Sequence, residues 1–150
     1  MKTPLLDTDT ISFYLKGNAN VTRQMNETYQ RDGHLNLSVV TYYEVMNGLL
    51  FKNARKQLEA FQELVLSCQI IPLDTAIADV AAEIYAELRR NNQMIGHTDV
   101  LIGATAIHHH MTDTQPTIFF LHYWGTGPAN ALAAGVRAAV NQLGKAPGTR

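Results

Sequence analysis

The sequence predicts an α/β protein with a mainly parallel central sheet flanked by helices. Three observations lead there. Apolar runs of strand length, such as Pro4-Leu5-Leu6 and Leu35 to Val40, alternate with longer segments whose apolar residues recur every three or four positions. Small polar residues stand where those longer segments begin, and glycines close two of them. The 150 residues are 46% hydrophobic, enough for one core and short for two.

Taken in order, Pro4-Leu5-Leu6 reads as a buried strand, and Asp7-Thr8-Asp9 offers caps for a helix through Leu15, closed by Gly17. A second helix is expected from Val21 to about Tyr29, ended by Asp32-Gly33. Leu35, Leu37 and Val39 alternate with His34, Asn36 and Ser38, a strand pattern running into Val40. Thr41 then begins a helix to about Phe51. Asn53 starts the next, with Ala54, Leu58, Phe61 and Val65 on one face. Gln69 to Leu73 is a short strand whose Pro72 places it at an edge or its own end. Asp74 or Thr75 caps a long helix carrying Ile77, Val80, Ala81, Ile84 and Leu88, ending near Arg90-Asn91-Asn92. Met94 to His97 reads as a loop, and Thr98 caps a helix with Leu101, Ile102, Ala104 and Ile107 inward. Ile118 to Leu121 reads as a further strand.

Composition narrows the function classes. Twelve basic against thirteen acidic side chains give a net charge of −1, which excludes a strongly basic, histone-like domain. The single Cys68 cannot form an internal disulfide and fits a reducing, cytoplasmic setting. The N-terminus lacks the apolar stretch of a signal peptide, and no run predicts a membrane span. The character of the chain changes near Thr112. Residues 113–150 contain no Glu, and they hold five of the ten glycines and three of the five prolines.

Asp7, Glu44 and Asp99 each fall in the first turn of an expected helix, and Asp7 and Glu44 directly follow expected strands. Ligands of open α/β sheets bind beyond the carboxyl ends of the strands, so three distant acids can converge there. Two carboxylates ~4 Å apart repel by ~4 kcal/mol at an effective dielectric near ~20. Either one of them takes up a proton or a hard cation sits between them. Mg²⁺ suits such a cluster, and the waters it keeps provide a nucleophile for phosphodiester hydrolysis. A structural reading stands beside this one. Thr41 to Glu44 also has the form of a capping box, and acids are ordinary at helix starts.

Three strings carry a resemblance. Leu5-Leu6-Asp7-Thr8-Asp9-Thr10-Ile11 is similar to the opening of a PIN-domain nuclease. Ser38-Val39-Val40-Thr41-Tyr42-Tyr43-Glu44-Val45-Met46-Asn47-Gly48 resembles that family's second motif, and Gly96-His97-Thr98-Asp99-Val100-Leu101-Ile102-Gly103-Ala104-Thr105-Ala106 its third. Order and spacing agree over residues 4–112, and the closest branch in kind is the VapC-type toxin of bacterial toxin–antitoxin pairs. The resemblance implies a three-layer fold with five parallel strands. It implies an Mg²⁺- or Mn²⁺-dependent endoribonuclease cutting structured RNA such as tRNA, a cognate antitoxin and a homodimer. It implies Asp7, Glu44 and Asp99 as the catalytic, metal-binding acids, with Thr8 and Thr41 as supporting hydroxyls. Gly103, Ala104 and Ala106 would let the last of these helices approach the sheet closely.

Residues 1–112 are thus expected to form the PIN-like nuclease domain, and 113–150 a divergent segment, frame-shifted or partly disordered. The Thr-x-Asn or Thr-x-Asp element with which the family supplies a fourth polar residue has no counterpart after Met111-Thr112. Weak cleavage is the expectation, and the alternative is an inactive PIN-like domain that only binds an antitoxin or RNA. Asp7-Thr8-Asp9-Thr10 also approaches the Asp-x-Asp pair of aspartate-nucleophile phosphatases, but the downstream acidic pair of that class is missing. His108-His109-His110 point three ways on a helix and read as a polar helix end. The aromatic surplus of Phe13, Tyr14, Tyr42, Tyr43, Leu49, Leu50 and Phe51 is core by default, with part available to a partner helix. Lys16, Lys52, Arg55, Lys56, Arg89 and Arg90 are candidates for phosphate contacts, or ordinary solvated charges.

Overall fold

In the computed structural model, which describes residues 3–92, 96–109 and 111, three short strands lie parallel and side by side. They are β1 (Leu5–Leu6), β2 (Leu35–Ser38) and β3 (Cys68–Ile71), in the order β1-β2-β3. Leu6 faces Leu37 across the first pair, and Leu37 faces Ile70 across the second. Two helices lead from β1 to β2, α1 (Thr8–Leu15) and α2 (Ala19–Asp32). Two lead from β2 to β3, α3 (Val39–Phe51) and α4 (Arg55–Val65). Beyond β3 come α5 (Thr75–Arg90) and α6 (His97–His108). This is the expected α/β class with a parallel sheet. Of the five strands implied by resemblance, three fall within the described residues. The Ile118–Leu121 run and the whole 113–150 segment lie outside them.

Period-two alternation sorts the strand side chains. Leu6, Leu35 and Leu37 pack with Ile11, Val21, Met25, Val45, Leu49, Phe61 and Leu64 into the main core. Phe61 is wholly enclosed, its ring 5.8 Å from that of Tyr42. A buried phenyl of this kind contributes about 3–5 kcal/mol by the cost of truncating it to alanine. On the other face, Leu5 joins Val40, Ile71, Ile102 and Ala106 in a small cluster. A third cluster, Ile77, Ala81, Ile84, Leu88, Val100 and Ala104, zips α5 to α6. Small residues make the approach of α6 possible, since Gly103, Ala104 and Ala106 are all buried. Every residue of the central strand β2 is buried, including Asn36 and Ser38. Asn36 Nδ2 donates to the Thr3 carbonyl at 3.0 Å.

Several boundaries depart from the sequence expectation: α4 begins at Arg55 rather than Asn53, β3 is Cys68–Ile71 rather than Gln69 to Leu73, and three further shifts have a plain cause. Helix α2 begins two residues early, because Asn18 Oδ1 accepts the Val21 N–H at 3.1 Å, and it runs on to Gly33, whose φ of 77° only glycine adopts cheaply. β2 stops at Ser38 rather than running into Val40. Ser38 Oγ accepts the N–H groups of Val40 at 3.0 Å and Thr41 at 3.5 Å and so caps α3. A capping oxygen outweighs the strand preference of two β-branched valines. Gly96, not Thr98, stands at the start of α6. Asp74 caps α5, its Oδ1 accepting the Ile77 N–H at 2.9 Å. Among the described residues no helix is long and apolar enough to cross a membrane.

Candidate active site

β1 and β2 are neighbours and run the same way, so the residues that follow them emerge at the same end of the sheet. Asp7 follows β1 as the N-cap of α1. Its Oδ1 accepts the Thr10 N–H at 2.7 Å, and the residue is 6% exposed. A carboxylate is an ordinary cap at a helix start, where backbone N–H groups lack partners.

Glu44 sits where the sequence places it along the chain but in a different role. With Ser38 as the cap, Glu44 falls in the second turn of α3, too far along to bond back to the helix start. The capping box from Thr41 to Glu44 is therefore not formed. Glu44 instead reaches across to α1, where the Thr8 hydroxyl lies 3.5 Å from its Oε1. Burial pushes the Glu44 carboxyl above its ordinary value, and the charge of Asp99 adds to the push. The Thr8 hydroxyl works against both, and Asp9 adds a smaller upward contribution.

Asp99 is in the first turn of α6, as expected, and is half-buried. Its Oδ2 leans over the helix start, 3.5 Å from where a Cβ on Gly96 would stand. Thr41 is fully enclosed in α3, and its Oγ1 makes no hydrogen bond. The structure thus brings Thr8 to Glu44 and brings Asp99 within electrostatic reach of Glu44. Asp7 is adjacent to Thr8 in sequence at the head of α1.

Among the described residues no three His, Cys, Asp or Glu side chains gather closely enough to hold a metal ion as they stand. The donor set still fits a hard divalent cation. It consists of oxygen ligands alone, and Glu44 is already destabilised in its charged form by neighbouring acids, a strain that a cation relieves.

A cleft of about 160 Å³ opens beside Glu44. Thr8, Ser12 and Glu44 line it together with apolar Leu15, Val45 and Leu49, and Lys16 and Lys52 add positive charge. Sequence reasoning named the two lysines only as members of a basic set. It gave Asp9 a role only as a cap and in the phosphatase comparison. The aromatic surplus divides as follows. Phe13, Tyr14 and Tyr42 pack against the core, whereas Tyr43, Leu50 and Phe51 are exposed at 62%, 60% and 89%.

Comparison with known proteins gives three relatives of note. VapC ribonuclease PF0355 of Pyrococcus furiosus is 38% identical over 76 residues, 49% of either chain, so the match spans about half of that relative. Ribonuclease VapC10 of Mycobacterium tuberculosis is 30% identical over 102 residues, which cover 68% of this chain and 73% of the relative. The crystal structure of VapBC2 from Rickettsia felis, bound to a DNA fragment from its promoter, contains a chain that superposes with a TM-score of 0.66. That match covers 73% of this chain and 83% of the other at 18% identity, and it bears on the fold alone. A family model described as a Domain of Unknown Function (DUF1259) matches residues 84–142.

Proposed function

This chain belongs to the VapC ribonuclease family, and on that premise we propose that it is a metal-dependent endoribonuclease, the toxin of a toxin–antitoxin pair, acting on structured RNA such as tRNA. The observation that carries the chemistry is Glu44, pressed between the Thr8 hydroxyl and the charge of Asp99 at the carboxyl end of the sheet.

Asp7, Glu44 and Asp99 would hold Mg²⁺ or Mn²⁺. When bound, the ion activates water as the nucleophile and offsets charge on the phosphate. The remaining work belongs to the chain. Asp7 is fixed by the bond from the Thr10 N–H, so its carboxylate is oriented before any ligand arrives. Thr8 donates toward Glu44 Oε1 and favours the ionised, ligating form of that carboxylate. Thr41 lies one turn before Glu44 on α3, and its buried hydroxyl would be the second supporting hydroxyl of the site. The cleft beside Glu44 offers Lys16 and Lys52 to the phosphates of an RNA strand.

The partner in this reading is an antitoxin that lays an apolar helix over the exposed Tyr43, Leu50 and Phe51, and the toxin works as a homodimer in the cytoplasm. Residues 113–150 are proposed to be a divergent segment, frame-shifted or partly disordered, in which the family's Thr-x-Asn or Thr-x-Asp element is missing from the sequence. Cleavage by this chain is accordingly weak, since misplacing a reacting group by ~1 Å can cost about 100-fold.

The test is incubation of the purified chain with total RNA, with Mg²⁺ and with a chelator. Cleavage that requires the metal and disappears in Asp99→Asn is expected. Metal-independent cleavage, or an unaffected Asp99→Asn, overturns the assignment. A second reading is favoured by the present spacing of the acids, which does not close around an ion. In it the chain is an inactive PIN-like domain that only binds an antitoxin or RNA, and retention of RNA with no cleavage under any metal would establish it.

A further inference from the structure

Beyond the acids, the first turn of α6 carries a second feature. The His97 imidazole stacks on the Tyr85 ring of α5, with centroids 4.4 Å apart and planes 26° from parallel. The Arg89 guanidinium lies 6.0 Å from the centre of the same Tyr85 ring. Tyr85 is held from below, because it packs against the cluster that joins α5 to α6. His97 and Arg89 are exposed. The arrangement is a rigid ring, anchored in the core, with an imidazole laid on it and a cation beside it.

We propose that Tyr85, His97 and Arg89 form a stacking platform for one unpaired nucleobase of the RNA substrate. The proposal rests on the ribonuclease reading and adds to it where a flanking base of the strand is held. His97 is two residues from Asp99 on one helix, ~3 Å along the axis but on a different face, so a base on His97 belongs to a nucleotide flanking the one at Asp99 rather than to that nucleotide itself. Single-stranded bases stack readily on His and Tyr rings, and every base has a face to offer. The Arg89 charge supplies attraction for the neighbouring phosphate, and its position against Tyr85 limits the freedom it would lose on binding. His97 is exposed and stands outside the buried core.

The experiment uses the full chain in chelator, so that RNA binds without being cut. Short single-stranded RNAs of mixed sequence carry 2-aminopurine, whose fluorescence falls when it stacks. The wild type is expected to bind and quench. His97→Ala, which removes the outer ring of the stack and leaves Tyr85 packed on its cluster, is expected to weaken binding about 5- to 150-fold and to lose the quenching. His97→Phe, which keeps a flat ring without the imidazole nitrogens, is expected to restore both. If RNA is bound and cut but His97→Ala binds and quenches as the wild type does, the platform is wrong while the nuclease reading stands. If the wild type neither binds nor cuts RNA, both fall together. If His97→Ala weakens antitoxin binding and leaves RNA binding intact, the stack serves the protein partner and the proposal is overturned.

Discussion

The Thr8 hydroxyl lies 3.5 Å from Glu44 Oε1, although the two residues stand 36 positions apart in the chain. This contact ties the head of α1 to the second turn of α3 and acts against the burial and the like charge that lift the Glu44 pKa. Removing the hydroxyl should lift it further. In Thr8→Val, the acidic limb of the pH profile of kcat/KM should move to higher pH, because cleavage needs the ionised carboxylate. An unmoved limb would mean that Glu44 does not set it.

The same carboxyl links stability to pH. Its value in the folded chain lies above the ordinary 4.5, so between those two values the folded state binds more protons than the unfolded one. Stability from this group is fully present below 4.5 and is lost as pH rises through the folded value. Glu44→Gln should therefore melt higher than the wild type at neutral pH in chelator, with the difference vanishing in acid. Thermal unfolding at the two pH values measures it. Added Mg²⁺ should raise the melting temperature of the wild type and leave Glu44→Gln little changed.

Asp7 has two roles that substitution can separate. Asn keeps an oxygen for the Thr10 N–H, so Asp7→Asn should hold the cap and lose cleavage. Asp7→Ala should lose both, with a further destabilisation of ~1 kcal/mol from the missing cap. Urea unfolding beside an RNA-cleavage assay distinguishes the two variants, and equal stability of Asn and Ala would remove the cap from the account.

Thr41 encloses a hydroxyl that makes no hydrogen bond. Leaving such a group buried costs about 1–3 kcal/mol, and Val has the same shape without the polar atom. Thr41→Val should be more stable by ~1 kcal/mol and less active if the hydroxyl supports the site. A stabilised variant with full cleavage would reduce Thr41 to packing.

The positions of the candidate acids along the fold were legible because helix starts are marked by residue type. Asp99 stands in the first turn of α6 and Asp7 caps α1, where the sequence puts them, and Glu44 is displaced by one turn only. The displacement came from Val39 and Val40, whose β-branched side chains read as strand while Ser38 was already capping a helix. The burial of Asn36 and Ser38 was hidden for another reason. It depends on β2 lying between β1 and β3, whose Leu5 and Ile71 pack with Ile102 and Ala106 of α6, an arrangement of distant segments that no local pattern encodes. The Tyr85–His97 stack was equally hidden, since it follows from how α5 and α6 cross rather than from either helix alone.

The three apolar clusters have a consequence for how the site holds together in time. Asp99 rides on α6, and α6 is bound more extensively to α5 than to the rest of the chain. Among the described residues, the group of Leu5, Val40, Ile71, Ile102 and Ala106 fastens that pair to the sheet. Such a division favours opening of the α5–α6 hairpin ahead of the main core, which hydrogen exchange would read as a block of early-exchanging amides. Each opening would carry Asp99 and the His97 platform away from Glu44 together. The placement of Asp99 over the sheet thus depends in part on the packing of Ile102, three residues further along the same helix.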